Sequence, residues 1–595
     1  MRKIIISLIL LTLNSFCSME VVGVFGNSGE KGEEIYESEV GEPPYSTVGN
    51  EGIYVDEKGF IYTGGKRGFL NKISPEGKTI KRYKFPEKFK NYAKYGRICK
   101  GENEIYFFVR YYNDFGLLRF DLKNENFEEI PLGQYKGHHY VGMWTATKLN
   151  SKKELFTQLL LNDKPVIVKI NVETKEIKDF KIELPDIQRY GCIDVDKNDN
   201  IYLSYTQNQK NYVGKFTSEG KPIEGENWPK IIEWYYAIQG HFTVTDNFLF
   251  CSGYDGFVSR FKLNGEAYPG NIGGPLISFG GYIGQVEEKN NKIYLSKTFG
   301  ILVCKYDEDE ENLKPLKFIG GIRSDGICLD DKGRLVVGIS YDNPVGGEFF
   351  FFDKNKLDSN PVSNISAGTY FNPTDLVYFK GYFYSMCELN HWQKKKEKQP
   401  FYIFQDERVY RIYLKETDEY TFKGSSISSS FLYLVGQDTG KIYKTKLPLP
   451  ITGEIKLEQV KIYKDEKEFN FEKPFGITFD LDGNLYITNK NKIYRFEKEN
   501  ERFIYKWEKE KAGNINFKEL RDLIVIDEDI FVVDGSNNII IRLDLDGNYK
   551  EHFGEVGITG SDLKHLNNPT YITGEKNFIY VSDKGNLRVL KIKVK

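Results

Sequence analysis

The chain has 595 residues, with 83 Lys and Arg against 85 Asp and Glu and a formal net charge of −2. This even mixture supplies no basic field for general nucleic-acid binding, and the chain carries no acidic or basic tail. Aromatic residues make up 15% of it, 41 Tyr and 43 Phe against 4 Met, which favours half-buried strands over helical bundles, and the length exceeds what one ordinary hydrophobic core supports.

Arg2 and Lys3 make a short cationic start, and Ile4 to Leu13 form an apolar run of about ten residues. A membrane span needs about twenty, so residues 1–17 read as a secretory signal. Cys17 ends the run where a bacterial lipoprotein signal places its acylated cysteine. Leu13, four residues earlier, resembles the relaxed lipobox of spirochaetes, while Phe16 departs from the usual small residue. The expectation is an exported protein of the cell envelope, periplasmic or surface-exposed, held to the membrane by a lipid on Cys17 alone; without acylation it would be secreted.

From about residue 50 onward the chain repeats one pattern every forty-five residues or so: an apolar strand, an Asp-containing turn, a second apolar strand, a third strand and a Gly turn. Gly52-Ile53-Tyr54-Val55-Asp56-Glu57-Lys58-Gly59-Phe60-Ile61-Tyr62 is one example, and residues 326–336 and 476–486 are others. Such a period marks a repeat architecture of β-propeller type. Twelve repeats begin near residues 50, 96, 143, 189, 239, 281, 323, 373, 424, 474, 520 and 568. A ring of twelve would leave an unpacked channel, so the fold expected is all-β, with two six-bladed propellers of four-stranded blades over residues 18–320 and 321–595. The last repeat stops at its third strand, Leu587 to Ile592, and a spare strand at residues 20–26 is available to complete it and cover the exposed edge.

The first hairpin of a repeat turns at Asp56–Gly59, Asp196–Asn200, Asp330–Gly333 and Asp480–Gly483, with residues that tolerate positive φ. The hairpin between third and fourth strands turns on the same face, and the connections between repeats leave from the opposite one. Four of the five tryptophans fall in such connections. One connection runs from Tyr135 through His138, His139 and Tyr140 to Trp144; another runs from Trp228 through Trp234, Tyr235 and Tyr236 to His241; Trp392 lies in the polar insertion 388–400. Large planar side chains with polar tips suit recognition of a protein, peptide or glycan, and they also fill gaps between blades. His138 and His139 are adjacent on an extended segment and point opposite ways, which disfavours a shared metal. Cys99, Cys192, Cys251, Cys304, Cys328 and Cys387 have no metal-ligand or disulfide spacing and read as buried thiols.

Towards the carboxy end, Phe553-Gly554, Asn568-Pro569-Thr570-Tyr571-Ile572 and Tyr580-Val581-Ser582-Asp583-Lys584-Gly585-Asn586-Leu587-Arg588-Val589 resemble the NHL repeat. Phe531 to Ile539 and Lys473 to Ile477 fit the same pattern, and the resemblance implies six-bladed propellers. Asp325-Gly326-Ile327-Cys328-Leu329-Asp330 resembles the metal-binding segment of the gluconolactonase and senescence-marker family, and Glu51 sits where that family places a metal-binding Glu. The two positions open the first and the seventh repeat, in different propellers, and the family's Asn ligand has no counterpart. No nucleophile elbow, zinc-protease motif or phosphate-binding loop is present in the sequence. The function expected is a non-catalytic scaffold that needs no cofactor and binds a protein, peptide or glycan of the envelope. The alternative is a hydrolase, lactonase or lyase using a divalent metal such as calcium at Glu51 and Asp325.

Overall fold

The computed structural model describes residues 19–595 apart from 26–51, 66–68, 76–78, 87–96, 112–113, 137–138, 141–144, 162–163, 226, 232–240, 253–257, 267–282, 298–299, 308–311, 321–323, 341–346, 356–362, 367–373, 387–399, 406–407, 416–418, 420 and 587. The described chain is nearly all β, in many small sheets and with no α-helix. It divides into two units, a first comprising Pro44–Gly320 and a second comprising Met1–Pro43 with Gly321–Lys595.

Each sheet grows by short antiparallel hairpins, and burial falls from its first strands to its last. Ile201–Gln207 and Leu485–Asn489, second strands of their sheets, are buried almost throughout, whereas the fourth strand Asn126–Gly133 has a single buried position, Ile130. Strands covered on both faces need near-continuous apolar runs and outer ones do not, which explains why the inner strands carry the Ile, Leu and Tyr of each repeat. The Asp turns have a repeated chemistry. Asp196 accepts the N–H groups of Asn198 and Asn200 and the amide of Asn200, and the Tyr202 hydroxyl reaches it; Asp480 does the same with Asp482, Asn484 and Tyr486. Gly483 closes its turn at φ 83°, a conformation that costs a side-chain-bearing residue free energy.

The first unit holds six sheets, whose initial strands are Ile53–Val55, Cys99–Lys100, His139–Tyr140, Ile187–Val195, His241–Val244 and Ile283–Lys289. The first five share apolar clusters pairwise in succession. The last returns to the first through Tyr294, Ile301 and Val303 packed with Ile53, Val55, Ile61 and Ile73.

In the second unit the strands Ser324–Leu329, Val377–Phe379, Phe422–Ser428, Pro474–Phe479, Leu520–Ile526 and Pro569–Glu575 are neighbours in that order, and the sixth touches the first again. Glu20–Phe25 pairs antiparallel with Arg588–Lys593, so the sixth sheet takes its outer strand from far upstream in the sequence. Three further strands of the unit come from one segment. Glu454–Ile455 pairs parallel with Arg408–Leu414 of the second sheet, Glu458–Gln459 pairs with Ile442–Lys446 of the third, and Lys461–Lys464 pairs parallel with Arg502–Lys509 of the fourth. This strap seals three outer edges and buries Ile455, Val460 and Ile462 beneath itself.

Candidate functional site at the centres of the two units

The residues singled out by sequence have separate surroundings. Trp228 is a core residue, 7% exposed, set edge-on to Tyr202 in a cluster with Cys192, Val213, Phe242 and Leu249, its indole N–H pointing at the Leu263 carbonyl. Its expected place in an exposed connection is corrected: the indole fills the seam between two sheets. Tyr135 is half-buried at the surface, donating to Asp179 at 2.9 Å, and Lys136 sits over its ring and pairs with the same carboxylate. His139, Tyr140 and His241 lie in strands, and nothing further is described of their side chains. Cys17, Glu51, His138, Trp144, Trp234, Tyr235, Tyr236, Trp392 and Cys387 lie outside the described residues. Asp325 is buried and ion-paired with Lys584. Among the described residues no three His, Cys, Asp or Glu side chains gather as metal ligands. Cys99, Cys192, Cys251, Cys304 and Cys328 are thiols outside any disulfide, and burial pushes those of Cys192 and Cys251 up to about 11 and about 12.

The groups that do converge were not singled out by sequence. They lie in or just before the first strands of their sheets: Asp194 in Ile187–Val195, Gln285 in Ile283–Lys289, Asp522 in Leu520–Ile526, and Arg97 and Asp375 just ahead of Cys99–Lys100 and Val377–Phe379. In the first unit, Asp194 accepts the Thr147 N–H at 2.8 Å and hydroxyl from one side, its own Val195 N–H, and the Val244 N–H at 2.8 Å from the other. Arg97 donates to the Thr145 carbonyl at 3.2 Å, the Phe242 carbonyl at 2.5 Å and the Thr243 hydroxyl at 2.7 Å. Gln285 exchanges hydrogen bonds with both Ile53 and Ile98, accepting their N–H groups and donating to their carbonyls. Between them these three side chains reach groups in or beside the strands of all six sheets, and the Thr243 hydroxyl, accepting the Val286 N–H, adds a further bond between the fifth sheet and the sixth.

Beside this centre lies a cavity of about 10 Å³, room for one water, lined by Lys100, Thr147, Lys148, Val244, Thr245, Asp246, Glu287 and Glu288. Lys100 pairs with the buried Glu287 at 3.0 Å. Burial pushes the Glu287 carboxyl up while Lys100 pulls it back, and the nearby Tyr54 phenol is pushed up to about 12, again mainly by burial.

In the second unit the corresponding positions hold Asp375 and Asp522. Asp375 accepts its own Leu376 N–H, and from the next sheet the Ser425 N–H at 2.5 Å and hydroxyl at 2.8 Å. Asp522 accepts the Leu523 N–H at 2.9 Å and the Ile572 N–H at 3.0 Å. Asp194, Asp375 and Asp522 thus each reach an amide 50 residues further along the chain. Tyr571, 3% exposed, sends its hydroxyl to the Thr374 carbonyl and packs its ring against Phe475, joining the sixth, second and fourth sheets. The sequence signal for these acids was slight: an Asp followed by Val or Leu in or beside an apolar strand.

No family model and no curated protein matches the chain. Among solved structures it is similar to PorZ, an essential bacterial surface component of the type-IX secretion system of Porphyromonas gingivalis, at 11% identity and a TM-score of 0.41 over 90% of this chain and 79% of that one. It is also similar to the extracellular domain of a one-component system from B. thetaiotaomicron, at 13% identity and 0.29 over 94% and 71%. The computationally designed Ika8 protein aligns at 10% identity and 0.29 over 60% and 98%. Resemblance to the NHL repeat accordingly rests on the residues themselves. No helix among the described residues is long and apolar enough to cross a membrane.

Proposed function

We propose that this chain is an exported recognition scaffold without catalytic chemistry of its own, built as two six-bladed NHL-like β-propellers and tethered to the cell envelope by a lipid on Cys17. One observation carries the reading: the buried charge at each centre is consumed in closure. Asp194, Asp375 and Asp522 give their oxygens to backbone amides of adjacent sheets, and Arg97 gives its two terminal nitrogens to backbone carbonyls and Thr243. Groups held in this way orient sheets and are not presented to a substrate. The cyclic order of first strands in the second unit supports the propeller reading.

Recognition then belongs to the aromatic connections, with a protein, peptide or glycan of the envelope as partner. Tyr135 has the character required, a polar-tipped ring held in one orientation by Asp179 and Lys136. The metal-dependent alternative is disfavoured because a cation at Asp325 would have to displace Lys584. The test is binding of the purified chain to fractionated envelope proteins and glycans. Trp234→Ala with Tyr235→Ala should weaken binding by about tenfold or more, as loss of an aromatic anchor does, at an unchanged thermal midpoint. Unchanged binding, or a collapse of the midpoint, would contradict the assignment.

A further inference from the structure

The two centres bury charge in different ways. In the first unit a cation and an anion hold the same two segments: Arg97 and Asp194 both bond to the Thr145–Thr147 segment and both to Phe242–Val244. In the second unit two anions stand at the ends of one connection. Asp522 holds the Ile572 N–H, the adjacent Tyr571 hydroxyl crosses to the Thr374 carbonyl, and the next residue is Asp375. Their strands are the fifth and the second of six in cyclic order, opposite one another across the unit.

Among the described residues the cations nearby are engaged elsewhere. Arg521, beside Asp522, turns to Thr570 and Glu519; Lys584 pairs with Asp325; Arg588 pairs with Asp583. Among the described residues Cys328 and Tyr571 also face the pair, and Ser425 faces it from the third sheet. Two buried carboxylates without a bonded cation are not both ionised at low cost, because each pays desolvation and they repel.

We propose that the second unit is closed around a retained proton: in the folded unit at least one of Asp375 and Asp522 is a neutral acid, and the unit weakens as pH rises more steeply than the first unit does. Burial pushes Asp375 up to about 7 against the pull of its hydrogen bonds, and pushes Asp522 well above the carboxylate range, with the Asp375 charge adding to the rise. Folded pKa values lie above the unfolded value of about 4, so this contribution to stability is complete below about pH 4 and is lost as pH climbs through about 7.

Hydrogen exchange by mass spectrometry on the full chain, corrected for the intrinsic pH dependence of exchange, reads the two units separately. Protection of Val377–Phe379, Phe422–Ser428 and Leu520–Ile526 should fall by up to about tenfold per pH unit between pH 5 and 7, and that of Ile187–Val195 by much less. Glu287 of the first unit and Glu419 and Asp583 of the second are also raised by burial, so a variant must assign the effect. Asp522→Asn, or Asp375→Asn should the first fail to fold, should flatten the slope and remove an infrared carbonyl band of a protonated acid that the wild type has at pH 6. Equal slopes in the two units of the wild type, or no such band, would overturn the proposal.

Discussion

Arg588 is 2% exposed, and its guanidinium donates to Asp583 at 2.7 Å and to the carbonyls of Ser561, Asp562 and His565. Asp583 also accepts the Asn586 amide and the Asn567 N–H. These are the Asp, Asn and Arg of the repeat-like motif at the end of the chain, and their role is to tie a loop to a strand end. Asp534 and Asn537 repeat the arrangement one sheet earlier. Removing one partner leaves a buried charge uncompensated, so Arg588→Ala is expected to cost about 3–5 kcal/mol in denaturant unfolding. A loss under about 1 kcal/mol would mean the pair is solvated. This motif was readable because its residues are close in sequence. Asp194, Asp375 and Asp522 were not: each looks like a turn aspartate within an apolar strand, and the amide that explains it lies 50 residues downstream.

Among elements, those legible in sequence were the ones whose pattern is local. Apolar pairs around Asp56, Asp196, Asp330 and Asp480 gave strands and turns because the Asp side chain caps its own hairpin. Trp228 was misread because the outer strands are short and weakly patterned: Lys230–Ile231, two residues on, is a strand of only 2 residues, and a tryptophan beside it resembles one in a loop. The strap at Glu454–Lys464 escaped notice since its segments pair with three different sheets and none is apolar enough to stand out. Glu20–Phe25 is different. Its apolar residues read as a strand, and it pairs with the edge of Arg588–Lys593, an exposed edge being one that needs a partner. Val24 and Leu590 are direct register partners, so Val24→Cys with Leu590→Cys should form a disulfide under mild oxidation, visible as altered mobility on a non-reducing gel. Failure to crosslink would remove that strand from the sheet.

For the whole molecule, the proposed reading assigns recognition to the surfaces and closure to the polar centres. In the first unit that closure pairs Arg97 with Asp194 through shared segments, and in the second it places two acids at the ends of one hydrogen-bonded path. The claim that these polar centres are clamps and not a metal site is most directly tested by the thermal midpoint of the purified chain with and without calcium, magnesium, manganese or zinc. The expected result is the same midpoint within about 1 °C, for the wild type and for Asp325→Ala alike, because a ligand raises the midpoint only if it binds the folded state. A rise of several degrees with one of these ions, abolished by Asp325→Ala, would contradict the account and return the chain to the metal-dependent enzymes.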